Sequence, residues 1–173
     1  MAATADSTQR TLKDVVLGLG HFTVPVSDMA TALRFYTEVL QFEQVGRKMT
    51  PEEIAQAKAA GTIRAPHLSV RMANGPRMDL FEVPYQRVEF KDDHPHYAFL
   101  VRGEDLDFVA DILRTAEIPF DGPSRRGPVG GASLYFLDPF GNKLEYNCDS
   151  GYSGDVEDRP PIWSDSLRYS WPS

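Results

Sequence analysis

His21-Phe22-Thr23-Val24-Pro25-Val26 and His96-Tyr97-Ala98-Phe99-Leu100-Val101 are two versions of one strand, each opening on a histidine. A second pair sits at matching places further on. Gly75-Pro76-Arg77-Met78-Asp79-Leu80 is echoed by Gly141-Asn142-Lys143-Leu144-Glu145-Tyr146, and each closing strand carries a carboxylate. The chain therefore reads as one plan used twice. Two such halves, face to face, offer two imidazoles and one or two carboxylates to a single metal ion.

The elements between these strands fit that plan. Asp28 stands where a helix N-cap belongs, with Ala32, Leu33, Phe35, Tyr36, Val39 and Leu40 following at helical spacing. Phe42 to Val45 begins the next strand. Thr50 as cap, Pro51 in the first turn, Glu53 at the capping-box position and Gly61 at the end predict a short helix over 51–60. Pro66 to Met72 and Arg77 to Val83 form a hairpin around Asn74-Gly75. In the second half, His96 to Val101 is a strand and Glu104 to Glu117 a helix. Ile118 to Phe120 is a short strand, Arg125 to Ala132 a glycine-rich loop, and Leu134–Leu137 with Lys143–Cys148 the closing hairpin. The fold class is α+β: two βαβββ modules that form a curved mixed sheet around a metal pocket, with helices outside. The expected layout is a flexible N-terminus over 1–13, a first module over 14–86, a second over 87–150 and a tail over 151–173.

Composition narrows the function classes. The 173 residues are enough for a core, and 42% hydrophobic with 25% charged residues is ordinary for a soluble globular protein. A net charge of −7 argues against nucleic acid and anionic membranes as partners. No apolar run reaches transmembrane length, and residues 1–7 lack the pattern of a signal peptide. Cys148 is the one cysteine, which excludes an intramolecular disulfide or a cysteine-cluster metal site and fits a reducing, cytoplasmic location.

Side chains alternate across a strand. If Phe22, Val24 and Val26 pack on the helix, His21, Thr23 and Pro25 face the other way. The same alternation leaves His96, Ala98 and Leu100 on that second face, with His67, Ser69 and Arg71 from the hairpin strand. Ser133, Tyr135, Glu145 and Asn147 are expected there from the last hairpin. Asp79 shares the face with Ser69 only if the hairpin loop at Asn74-Gly75 is odd-numbered; a two-residue turn would place it with Val70. Glu82 falls on the opposite parity from Asp79 and reads as a surface group. His94, in the linker Lys91-Asp92-Asp93-His94-Pro95, reads as exposed.

Two segments carry a family resemblance: Gly20 to Asp28 with Phe35-Tyr36 and Val39-Leu40, and Gly131 to Glu145. They resemble the vicinal oxygen chelate superfamily of glyoxalases, fosfomycin-resistance enzymes, epimerases, extradiol dioxygenases and bleomycin-resistance proteins. The resemblance covers about residues 15–150. It implies His21, His96 and Glu145 as metal ligands, with Asp79 at the fourth place, where isomerases of the family carry Glu or Gln. Asp is one methylene shorter than Glu. Without it, two His and one carboxylate leave open positions, a set that suits Fe(II); Mn, Ni or Zn are the other candidates. Paired modules in this superfamily come from one chain or two, so a homodimer is expected.

The resemblance leads to a non-haem Fe(II) extradiol-type dioxygenase that cleaves a catecholic substrate with dioxygen. Tyr135 and His67 would be its catalytic proton-handling groups. Thr23, Ser69, Arg71, Ser133, Arg126 and Asn147 would line the substrate. Plainer readings stand beside these. Tyr135 would serve equally as a pocket wall, His67 as a solvent-facing histidine, and Arg125-Arg126 as a solvated basic pair rather than an anion clamp. Three other functions compete. A fosfomycin-type enzyme would open an epoxide with a thiol or water; the Arg125–Gly130 loop departs from that group's pattern. An isomerase of the glyoxalase or epimerase kind would use Asp79 as ligand or base. A drug-sequestering binding protein would not need the His and Glu set. The tail aromatics Trp163, Tyr169 and Trp171 read as packing on the body or a partner, with a lid over the site as the alternative.

Overall fold

The structure, a computed structural model, describes residues 19–62, 67–83 and 95–170. It contains two four-stranded mixed sheets of the same topology. The first has the order β1(His21–Val26), β4(Arg77–Glu82), β3(His67–Arg71), β2(Glu43–Val45). The second has the order β5(Tyr97–Leu100), β8(Lys143–Cys148), β7(Ala132–Leu137), β6(Phe120–Arg125). In both, the first strand runs parallel to the last and the remaining pairs are antiparallel. The α+β architecture built from a repeated module is as expected, as two distinct sheets rather than one.

Helix α1(Met29–Arg34) packs on β3 and β4, α2(Pro51–Ala59) packs on α1, and α3(Leu106–Thr115) packs on β8. Asp28 caps α1 by accepting from the Thr31 N–H at 2.8 Å. One turn of π-helix over Phe35–Val39 extends α1. Thr50 and Glu53 form the full capping box of α2. Val24, Val26, Met29, Leu33, Phe35, Val70 and Leu80 of the first module and Leu106, Ala110, Leu113, Leu134, Phe136 and Leu144 of the second fill one continuous core, joined where Phe42 meets Phe99 edge-on at 5.2 Å. The course of β6 and the place of Glu82 differ from expectation. β6 is longer than Ile118–Phe120 and runs into the predicted loop, because residues 124–125 still pair with β7 beyond a bulge at the cis Gly122–Pro123 peptide. Glu82 is not a surface group. Its parity aims it at the helices, where it accepts from the Met29 N–H at 2.9 Å and pairs with Lys58 Nζ at 2.6 Å.

The turn between β7 and β8 joins the modules. Asp138 is buried and accepts from the Phe140 and Asn142 N–H groups and from the Tyr36 hydroxyl at 2.9 Å. Burial raises its pKa to about 6 in spite of those donors. Asn142 Nδ2 donates both to Asp138 and to the Pro25 carbonyl of β1. Phe22 stacks on Tyr97 with centroids 5.3 Å apart, and the Tyr97 hydroxyl donates to the Thr23 carbonyl at 3.1 Å. The two first strands, each led by a histidine, thus lie beside one another.

Candidate metal centre

Register makes the internal repeat exact at the site. Asp79 pairs with Thr23 of β1 and Ser69 of β3; Glu145 pairs with Ala98 of β5 and Tyr135 of β7. The β3–β4 loop spans residues 72–76 between the pair Arg71 and Arg77, so it is odd-numbered, and Asp79 does share a face with Ser69. Each module therefore presents one His and one carboxylate at equivalent places.

What the two carboxylates do differs. In the second module His96 Nε2 lies 2.6 Å from Glu145 Oε2, and Glu145 is 6% exposed. Tyr135 stands edge-on to the His96 ring, 6.3 Å between centroids. Its hydroxyl accepts from Arg126 Nε at 2.6 Å, and the guanidinium also lies over its ring. Burial pushes the Tyr135 pKa up, against the hydrogen bond from Arg126. Ser133 is buried and pairs in register with half-buried Asn147, whose Nδ2 is 3.4 Å from Asp149 Oδ1.

In the first module Asp79 is 2% exposed and already held. Arg77 grips both its oxygens at 2.7 and 3.0 Å, and the Ser69 hydroxyl donates to Oδ1 at 2.6 Å. Burial works against the charge, but Arg77 and Ser69 outweigh it and hold the carboxyl below its ordinary pKa. His67 Nε2 and His21 Nε2 lie at 3.6 and 3.9 Å from Oδ2, beyond hydrogen-bond length. His67 stacks on Phe81 at 4.6 Å. Thr23 and Arg71 lie on the same open face, both exposed.

The chain thus brings His96, Glu145, Tyr135 and Arg126 together, and separately gathers His21, His67, Ser69 and Asp79. Among the described residues no three His, Cys, Asp or Glu side chains converge closely enough to hold a metal ion within one chain. The His96–Glu145 pair itself suits one. Imidazole nitrogen and carboxylate oxygen bind divalent ions at roughly 2.0–2.2 Å, and here one of each stands side by side, Glu145 buried and His96 partly so. His94 and Trp171 lie outside the described residues.

Two parts of the site escape a reading by strand parity. Arg77 is legible in hindsight, two residues before Asp79 on one strand. The other part is the tail. Arg159 forms a two-pronged pair with Asp121 at 2.5 and 3.0 Å, and the Ile162 N–H donates to the same carboxylate. Trp163 then lies 5.3 Å from the Tyr135 ring and 6.1 Å from His96, with Lys143 Nζ 5.4 Å from its face. Nothing local in the sequence links Asp121 to Arg159.

A βαβββ module used twice, with a His and a carboxylate at equivalent places in each copy, defines the class of fold. The sequence profile of the Glyoxalase/Bleomycin resistance protein/Dioxygenase superfamily matches residues 18–146, and the chain belongs to that superfamily. It is 29% identical over 132 residues to the metallothiol transferase FosB of Shouchella clausii, covering 76% of this chain and 80% of that one. It is 35% identical to the metapyrocatechase of Pseudomonas sp. over 65 residues, which span 37% of this chain and 20% of that enzyme. The fold superimposes on the fosfomycin resistance protein FosX of Listeria monocytogenes, a mutant form solved with Mn(II) and 1S,2S-dihydroxypropylphosphonic acid. The TM-score is 0.60 at 16% identity, with 78% of this chain and 94% of that one covered. Among the described residues no helix is long and apolar enough to cross a membrane.

Proposed function

We propose that the protein is a divalent-metal enzyme in which His96 and Glu145 hold the ion, with His21 of a second copy of the chain as third ligand. The observation that carries this is the division of labour between the carboxylates. Glu145 faces His96, while both oxygens of Asp79 are engaged by Arg77 and Ser69. A fourth carboxylate ligand or carboxylate base, as an isomerase would need, is thereby disfavoured. His21 supports the homodimer: its side chain is 54% exposed, and Phe81, Leu19 and Leu100 are exposed apolar groups as well.

An ion held by two His and one Glu supplies Lewis acidity and open positions to a substrate with two neighbouring oxygens. The reaction we favour is extradiol-type cleavage of a catechol by dioxygen, with Fe(II) as the metal. Tyr135, Trp163 and the His96 ring form aromatic walls that fit a flat ring and keep water out. Arg126 holds the Tyr135 oxygen as an acceptor, so the hydroxyl proton is free to point at a substrate oxygen. His67, brought up with His21 on the partner's open face, would take or return the second proton. Thr23, Ser69 and Arg71 would line that side, and Ser133 and Asn147 the other. A second reading, metal-assisted opening of an epoxide by a thiol, is favoured by the FosB match over four-fifths of that enzyme's length.

Anaerobic loading with Fe(II), followed by oxygen uptake on a panel of catechols, tests the first reading. Uptake that depends on iron is expected; its absence, with thiol-dependent loss of fosfomycin under Mn(II), would turn the assignment to the second. The shared site is tested by mixing His21→Ala with Glu145→Ala chains. Neither should bind metal well alone, and the mixture should recover tight binding in hybrid dimers.

A further inference from the structure

His21 and His96 occupy the same place in the repeat, yet the His21 side chain is 54% exposed and that of His96 23%. The strands behind them differ in the same sense. β3 begins on exposed His67 and ends on exposed Arg71, whereas all six residues of β7 are buried. The segment after β8 runs over this part of the second module. It leaves the sheet tightly held: the Tyr152 N–H donates to the Gly130 carbonyl, and a Cβ on Gly103 would collide with the backbone of Gly151 and Tyr152. It then bridges to β6, with the Arg125 N–H donating to the Glu157 carbonyl and the Glu157 N–H to the Pro123 carbonyl, each at 2.9 Å. Arg159 is locked to Asp121, and its carbonyl accepts from Arg126 Nη1 at 3.1 Å. These contacts end on Trp163, laid against His96 and Tyr135. The whole segment lies beyond the superfamily match, which ends at residue 146.

We propose that residues 157–163 are a built-in cover of the His96–Glu145 site and that Trp163 determines which ligands the site admits. The indole fills the space beside His96 where a ligand's bulk would lie. Small, flat chelators fit alongside it; chelators with bulky branches do not. The segment is anchored by polar contacts rather than by a deep apolar core, so the clamp at Arg159 controls how firmly the wall stands. The ligand-selecting part rests on the reading of His96 and Glu145 as a metal pair; the cover itself does not.

The test therefore has two arms, both on the full-length chain. In the first, metal-free protein is treated with diethyl pyrocarbonate and the modified histidines are mapped by mass spectrometry. His96 should react slowly in the wild type. Trp163→Ala and Arg159→Gln should each raise its rate on the order of tenfold, with an unchanged far-UV circular dichroism spectrum as the control of folding. An unchanged His96 rate in both variants overturns the cover. In the second arm, Co(II)-loaded protein is titrated with catechol and with 4-tert-butylcatechol, followed by the visible absorption of the ion. Trp163→Ala should strengthen binding of the branched chelator about tenfold and leave catechol unchanged. Equal ratios in wild type and variant overturn the selecting role. If Co(II) fails to bind any form, the metal reading falls while the first arm still decides the cover.

Discussion

The two sheets of this protein share strand order, register and the placement of a histidine and a carboxylate, yet they have become different things. The first module keeps its outer face open. Its carboxylate Asp79 is neutralised by an arginine on its own strand, and two histidines stand near it without bonding it. The second module lets its carboxylate Glu145 meet its histidine directly and roofs the pair with a tail. Their turns differ too: Ala73 and Asn74 sit in solvent, while Asp138 and Asn142 are buried and tie the modules together. A duplicated module thus divides its work. In the proposed dimer, one copy of the module carries the fixed half of the site and the other offers its exposed histidine to the partner chain.

The contrast can be broken at several points. The largest effect is expected at the carboxylates. Glu145→Gln should weaken divalent-metal binding by roughly a hundredfold or more, since it removes a ligand and not merely a supporting contact. Asp79→Asn should leave metal content per chain unchanged. Calorimetric titration with elemental analysis reads both, and equal losses in the two variants would erase the distinction between the modules. Next comes the turn. Asp138→Ala strands the Tyr36 hydroxyl and two backbone N–H groups in the core, which costs about 3 kcal/mol. Urea unfolding should show it as a lowered midpoint, while Asn74→Ala in the exposed counterpart turn should change little.

Asp79→Asn should also cost about 1 kcal/mol of stability, modest because Arg77 is 40% exposed and can turn to water. The smallest effect concerns pH. Burial opposes the charge on Asp121, but Arg159 and the Ile162 N–H outweigh it and hold its carboxyl below the ordinary pKa of 3.8. A depressed folded pKa gives stability that is complete above the unfolded value and is lost as pH falls through the folded one. The clamp should therefore hold at neutral pH and release below about pH 4. Both tryptophans, Trp163 and Trp171, lie in the tail, so their emission should shift to the red in acid before the core unfolds. Arg159→Gln should show the shifted emission already at neutral pH, and an emission that follows global unfolding alone would dissolve the clamp as a separate unit.

Much of this was written in local pattern. The alternation of Val24 and Val26 with His21 and Thr23 and the Thr50–Glu53 box follow from side-chain periodicity and capping chemistry. Those act over a few residues and leave a direct mark in sequence. The parity that set Tyr135 across from Glu145 is of the same kind. The face of Asp79 hung on the length of the loop between Arg71 and Arg77, which the residues alone left open and the strand register closed. Glu82 went astray because parity tells which face a side chain takes but not what waits there: the α1 N-terminus and Lys58.

The sequence by itself determined the repeated module, the faces of its strands and the residue types that could hold a metal. Each depends on spacing along the chain. Only the tertiary structure decided that His21 and His96 keep to separate carboxylates, that Arg77 claims Asp79, and that Arg159 reaches Asp121 to set Trp163 over His96. Contacts of that sort join residues that no period relates, and their strength comes from burial and charge pairing that exist once the chain has folded.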